Sequence, residues 1–138
     1  MNIKPISMMK KIILLISVVL FLVFACKKEE VSERFRCLTG HIWTSDSLLA
    51  NGIDESDGIL KDFKGDAKFN EDGTGYFGKY QGTWKFAYNE TELIISSDSL
   101  PIPSLTTQII ELNDVSLKIK TGFPGNPPLA IRMTFKAK

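Results

Sequence analysis

The sequence predicts an all-β protein, a small up-and-down antiparallel β-barrel of about eight strands preceded by a signal peptide. Three observations carry that prediction. Beyond the leader, no segment of 11 or more residues repeats its apolar side chains at a helical period. Several segments instead alternate apolar and polar side chains, as half-buried strands do. Turn signals fall between them at short intervals. Strands so placed leave two unpaired edges if the sheet stays open, and closure removes both.

The leader comes first. Lys4, Lys10 and Lys11 precede an uncharged run from Ile12 to Ala25. Fourteen helical residues reach about 21 Å, short of the roughly 30 Å hydrocarbon core, so a cleaved signal fits better than a permanent span. The run ends in Val23-Phe24-Ala25-Cys26, which resembles the bacterial lipobox. That resemblance implies diacylglyceryl transfer to the Cys26 thiol, cleavage before Cys26 and acylation (palmitate-type) of the new amine. Two or more acyl chains anchor a protein stably. Residues 1–25 are therefore expected to be the lipoprotein signal peptide, 26–35 a lipidated flexible tether, and 36–138 the barrel domain. Lys27-Lys28-Glu29-Glu30 resembles the export signal that carries Bacteroidota lipoproteins to the cell surface, and reads equally as a solvated charged tether. The expected location is the outer membrane, with its face undecided.

Strands are expected near 41–50, 59–70, 74–80, 82–88, 91–97, 105–113, 115–121 and 128–137. Leu129, Ile131, Met133 and Phe135 alternate with Ala130, Arg132, Thr134 and Lys136, which places the first four inside. Trp84, Phe86 and Tyr88 likewise share one face. Asn51-Gly52, Asp72-Gly73, Gln81-Gly82 and Asn113-Asp114 read as turns. The proline-bearing stretches 99–104 and 122–128 read as loops.

In order, Leu38-Thr39-Gly40-His41-Ile42-Trp43, Lys68-Phe69-Asn70-Glu71-Asp72-Gly73-Thr74-Gly75-Tyr76, Gly82-Thr83-Trp84-Lys85-Phe86 and Glu92-Leu93-Ile94-Ile95 resemble the lipocalin-like domains of small Bacteroidota lipoproteins. The resemblance covers about residues 36–137. It implies a barrel that holds one small ligand or is filled by its own side chains. Trp84, Phe86, Tyr88, Tyr76 and Phe69 are the candidate ligand-binding residues, and the same rings could simply fill the core.

Composition narrows the function. The chain has 17 Lys+Arg and 16 Asp+Glu. Loss of the three leader lysines leaves 14 basic against 16 acidic side chains, a net of −2. No basic stripe appears, so nucleic acid is not an expected partner. Removing 25 residues from 138 leaves 113, enough for one domain and a monomer. His41 is the single histidine, and no nucleophile elbow, phosphate loop or dinucleotide fingerprint accompanies it. No catalytic residue, cofactor or metal is expected. Zinc needs more nitrogen and sulfur ligands than His41 and Cys37 supply, and Asp54-Glu55-Ser56-Asp57-Gly58 lacks the register of a calcium loop. With Cys26 committed to lipid, Cys37 is left unpaired and is read as a small buried residue. The sequence thus predicts a lipid-anchored envelope lipoprotein, non-catalytic, that binds a small apolar or amphipathic ligand. The alternative is a filled barrel whose loops meet a protein or glycan, as a lysozyme inhibitor would.

The leader generates one direct test. Cys26→Ser should abolish incorporation of labelled fatty acid and release the protein from the membrane fraction. Equal labelling of variant and wild type would refute lipidation at Cys26.

Overall fold

The computed structural model describes residues 9–17 and 30–138. Cys26 and most of the leader and tether lie outside the described residues. Residues 9–17 are helical. No described helix is long and apolar enough to cross a membrane. The chain divides into two compact units, 1–31 and 32–138.

In the second unit, a short helix at Glu33–Thr39 (the plug helix) precedes nine strands. They are β1 (Ile42–Ala50), β2 (Ile53–Asp54), β3 (Asp66–Phe69), β4 (Thr74–Phe77), β5 (Tyr80–Ala87), β6 (Glu92–Ser96), β7 (Ser104–Leu112), β8 (Ser116–Phe123) and β9 (Leu129–Ala137). β2 is a two-residue return off β1. The other eight pair antiparallel in chain order from β1 and β3 to β9, and β9 pairs back onto β1. The result is a closed eight-stranded antiparallel barrel, as the alternation predicts.

Closure falls to β1. Its first residues pair with β3, from Ile42 opposite Lys68 to Thr44 opposite Asp66. Its whole length pairs with β9, from Trp43 opposite Ala137 to Ala50 opposite Ile131. The register shifts between Ser45 and Ser47. A bulge there bends the strand and lets it serve two neighbours that diverge. Beyond Thr44, Ser45 continues the seam alone: its N–H donates to the Gly65 carbonyl and its hydroxyl accepts the Gly65 N–H, both at 2.9 Å. Gly65 has φ +114°, a conformation that side chains disfavour.

Strand alternation sorts the side chains as expected. Ile131, Met133 and Phe135 are buried, Leu129 is half-buried at the barrel end, and Arg132 and Lys136 are exposed. They join Trp43, Leu48, Phe69, Trp84, Leu93, Leu117 and Ile119 in one core. Among the described residues, no buried side-chain nitrogen or oxygen lacks a hydrogen-bond partner.

Four expectations need correction. Residues 59–65 are not strand: Lys61–Phe63 is a 3₁₀ turn, and β3 starts only at Asp66. The second hairpin turns at Gly78-Lys79, with Gly78 at φ +59°, and not at Gln81-Gly82, which lies within β5 opposite Tyr76 and Gly75. Gly82 is required there for another reason, since a Cβ would collide with the Ser96 carbonyl of β6. The domain also begins at the plug helix, so residues 33–35 are structured and not tether. Last, β5 ends at Ala87, and Tyr88, Asn89 and Glu90 all have positive φ in the turn that follows. Tyr88 therefore leaves the inward face of Trp84 and Phe86 and is 78% exposed.

The orientation of β9 yields a paired test. Met133→Asp buries an unpaired carboxylate and should destabilise the barrel by about 3 kcal/mol or more. Arg132→Asp, beside it but facing water, should change stability by about 0.5 kcal/mol or less. Urea denaturation midpoints that rank the two the other way would overturn the inward assignment.

Candidate functional site

The two ends of the barrel are built differently. At one end the plug helix covers the opening. Ser32 caps the helix by accepting the Phe35 N–H at 3.0 Å, and its hydroxyl donates to the Glu90 carboxylate. Arg34 Nε donates to the Glu90 carbonyl at 3.0 Å, so the turn after β5 holds the start of the helix. Lys68 Nζ donates to the Thr39 carbonyl at 2.6 Å, placing a cation where the last helical carbonyls point. Between these ties Leu38 is completely buried, and the Trp43 indole N–H donates to the Leu38 carbonyl at 3.0 Å.

Beneath the helix the barrel is filled by rings. Trp84 lies 5.7 Å from Phe35, 5.7 Å from Phe69 and 5.4 Å from Phe86, the last two edge-on. Phe69 continues to Phe77 at 5.2 Å. The Trp84 indole N–H donates to the Asn70 carbonyl at 2.8 Å. Edge-on contacts at these distances are favourable ring geometries.

The opposite end carries a recess of about 280 Å³. Leu105, Ile131 and Met133 of the core form part of its wall. Ile59, Leu60 and Phe63 approach from the segment before β3, and Leu100, Pro101 and Ile102 from the β6–β7 loop. Phe123 and Leu129 complete the apolar wall. Tyr80 is the one lining residue with a polar tip. Its ring packs at 4.9 Å against that of Phe63, tilted by 53°. Burial raises its phenol pKa first, and the Asp62 carboxylate, as a nearby charge and as hydrogen-bond acceptor, raises it further. The phenol is thus held protonated. Asp62, in the segment before β3, pairs with Lys79 of the β4–β5 turn (3.6 Å), and Lys64–Asp57 (2.7 Å) lies within that segment.

These positions separate the five candidate ligand residues. Phe69, Trp84 and Phe86 come together, but inside the ring cluster and away from the lining of the recess. Tyr76 pairs with Lys68 and Gln81, whose neighbours in register, Ala67 and Phe77, face inward; Tyr76 therefore sits on the outer face. Tyr88 is the exposed turn residue already described. The recess residues escaped notice because they lie mostly in loops and at strand ends, where periodicity carries no information. The apolar Ile59-Leu60 and Leu100–Ile102, each flanked by turn residues, are the signal that could have marked them.

A larger groove of about 600 Å³ crosses the outside of β6–β9. Glu92, Gln108, Lys120 and Arg132 line it, as is ordinary for the wet face of a barrel.

Cys37 is half-buried on the plug helix, less enclosed than expected. Its Sγ lies 3.7 Å from Asp114 Oδ1 in the β7–β8 turn. His41 Nε2 lies 3.6 Å from the same oxygen. Desolvation first, then the negative charge of Asp114, raise the thiol pKa. A nucleophilic cysteine needs the opposite shift.

Comparison with protein-family models gives no match. Comparison with curated proteins gives none either.

Proposed function

We propose that this chain is a lipid-anchored protein of the bacterial outer membrane whose barrel binds one small apolar or amphipathic ligand in its open end, without catalysis. The observation that carries the reading is the asymmetry of the barrel interior. One half is filled with rings under the plug helix, while the other leaves an apolar recess about 280 Å³ in volume. That volume lies just below the usual range of ligand pockets, roughly 300–1,000 Å³, so only a small ligand fits. A short acyl chain or a single small ring system matches it, at about 0.8 kcal/mol per methylene buried. The hydroxyl of Tyr80 and the charges of Asp62 and Lys79 would meet a polar head at the rim. The membrane anchor rests on the apolar leader ending at Cys26, and the ligand reading draws on the likeness to lipocalin-like domains of Bacteroidota lipoproteins.

A second reading has one observation behind it. Trp84, Phe86 and Phe69 pack on one another as core, so half of the barrel is filled. If the recess is merely loose packing, function moves to the loops and to a protein or glycan partner.

Titration with a fluorescent apolar dye separates the two. A ligand barrel should give saturable one-site binding. Leu129→Trp, which adds bulk in the recess, should weaken that binding about tenfold or more, whereas Trp84→Phe should leave it nearly unchanged. Absence of saturable binding, or binding insensitive to Leu129→Trp, would transfer the function to the loops.

A further inference from the structure

We propose that Cys37, His41 and Asp114 form a binding site for a zinc-like transition-metal dication at the closed end of the barrel. This site is separate from the recess at the open end and does not depend on what the recess holds.

Geometry carries the proposal. Cys37 Sγ, His41 Nε2 and a carboxylate oxygen of Asp114 all lie within 4.8 Å of one another. Two of the separations are 3.7 Å and 3.6 Å. Tetrahedral zinc with bonds of about 2.3 Å to sulfur and 2.0–2.2 Å to nitrogen and oxygen sets its ligand atoms about 3.3–3.6 Å apart. The two separations to Asp114 already match, and side-chain rotations that bring Cys37 Sγ and His41 Nε2 together from at most 4.8 Å, by about 1 Å, would admit the ion. A thiolate, an imidazole and a carboxylate together suit zinc or cobalt better than magnesium or calcium, which prefer all-oxygen shells.

The three side chains come from elements held in place by other interactions. Cys37 is fixed by the plug helix, whose two ends are tied to Glu90 and Lys68. His41 follows that helix directly, and its ring stands edge-on to the buried Trp43 at 5.4 Å. Asp114 sits in a turn shaped by Asn113, whose side-chain oxygen accepts the Val115 and Ser116 N–H groups at 3.0 and 2.8 Å. The Asp114 side chain is 89% exposed and that of His41 is 30% exposed, so an ion could enter from solvent and keep a water as fourth ligand.

The arrangement does not suit nucleophilic catalysis. The carboxylate stands between thiol and imidazole, so His41 is not the group that contacts the thiol. Metal binding releases the thiol proton to solvent as the metal–sulfur bond forms, and the new cation neutralises Asp114.

The test uses the untagged full-length chain in detergent, titrated with Co²⁺ and, in competition, with Zn²⁺. Cys26→Ser serves as the parent so that Cys37 is the one thiol present. The expected result is a single equivalent of Co²⁺ with a sulfur-to-cobalt charge-transfer band, displaced by Zn²⁺, and quenching of Trp43 fluorescence in a Trp84→Phe background. Cys37→Ser should remove the band, and His41→Ala and Asp114→Ala should each weaken binding about tenfold or more. Asp114→Asn serves as second variant should Asp114→Ala fail to fold. No band in the parent, or a band that survives Cys37→Ser, would overturn the proposal. So would Co²⁺ affinity unchanged in either His41→Ala or the folded Asp114 variant.

Discussion

The pairing of β1 with both β3 and β9 is the constraint on which the rest of this structure depends. An open sheet of this length would expose two rows of unpaired backbone groups and one apolar face. A domain of about a hundred residues has little apolar surface to spare for covering such a face by other means. Closure solves both problems, at the cost of requiring one strand to serve two neighbours that diverge. The bulge at Ser45–Ser47 and the positive φ of Gly65 are the local devices that make this possible. Across the seam, Thr44 Oγ1 donates to Asp66 at 2.8 Å, and Lys138 reaches the other oxygen of the same carboxylate at 2.8 Å. These contacts hold the Asp66 pKa below the usual carboxylate range, with the Lys138 hydrogen bond the larger cause. Asp66 is half-buried and Lys138 is exposed, so the pair serves register more than stability.

Closure leaves two open ends, and the chain treats them differently. A seven-residue helix has little stability of its own. Here it survives because Phe35 and Leu38 reach into the barrel while Glu90 and Lys68 hold its termini. Among the described residues, the opposite end has no comparable plug. It is overhung by loop residues that leave apolar side chains around a space. The barrel is thus solid at one end and recessed at the other, a division that no single strand encodes.

What the sequence made legible follows from this. Alternation along β9 and β8, and the Asn51-Gly52 and Asp72-Gly73 turns, depend on neighbours two to four residues apart, and they were readable. The plug helix was not, because two apolar side chains three residues apart make no helical period and its capping partners, Glu90 and Lys68, are remote in sequence. Gln81-Gly82 misled for a related reason. Glycine there answers a close approach of β6, which resembles a turn signal until the sheet is known. Trp84 and Phe86 were correctly placed on the inward face, but alternation tells inside from outside and not one end of a barrel from the other. Tyr88 failed at a boundary, where one residue past the end of β5 breaks the alternation.

The same logic explains why the chemistry at the plugged end stayed hidden. Cys37 and His41 are four residues apart and visible in the sequence, yet two ligands make no metal site. The third, Asp114, stands 77 positions from Cys37 and reads by itself as an ordinary turn residue. It meets the other two because β7 and β8 deliver their hairpin to the end of the barrel covered by the helix. That position is set by the register of the sheet, with Ser116 opposite Lys136 and Trp43 opposite Ala137. A shift of two residues along either pairing would preserve every inward side chain and still move Asp114 by about 7 Å, beyond reach of the thiol. Inside-outside alternation is therefore satisfied by several registers, whereas the Cys37–His41–Asp114 cluster is compatible with only one of them.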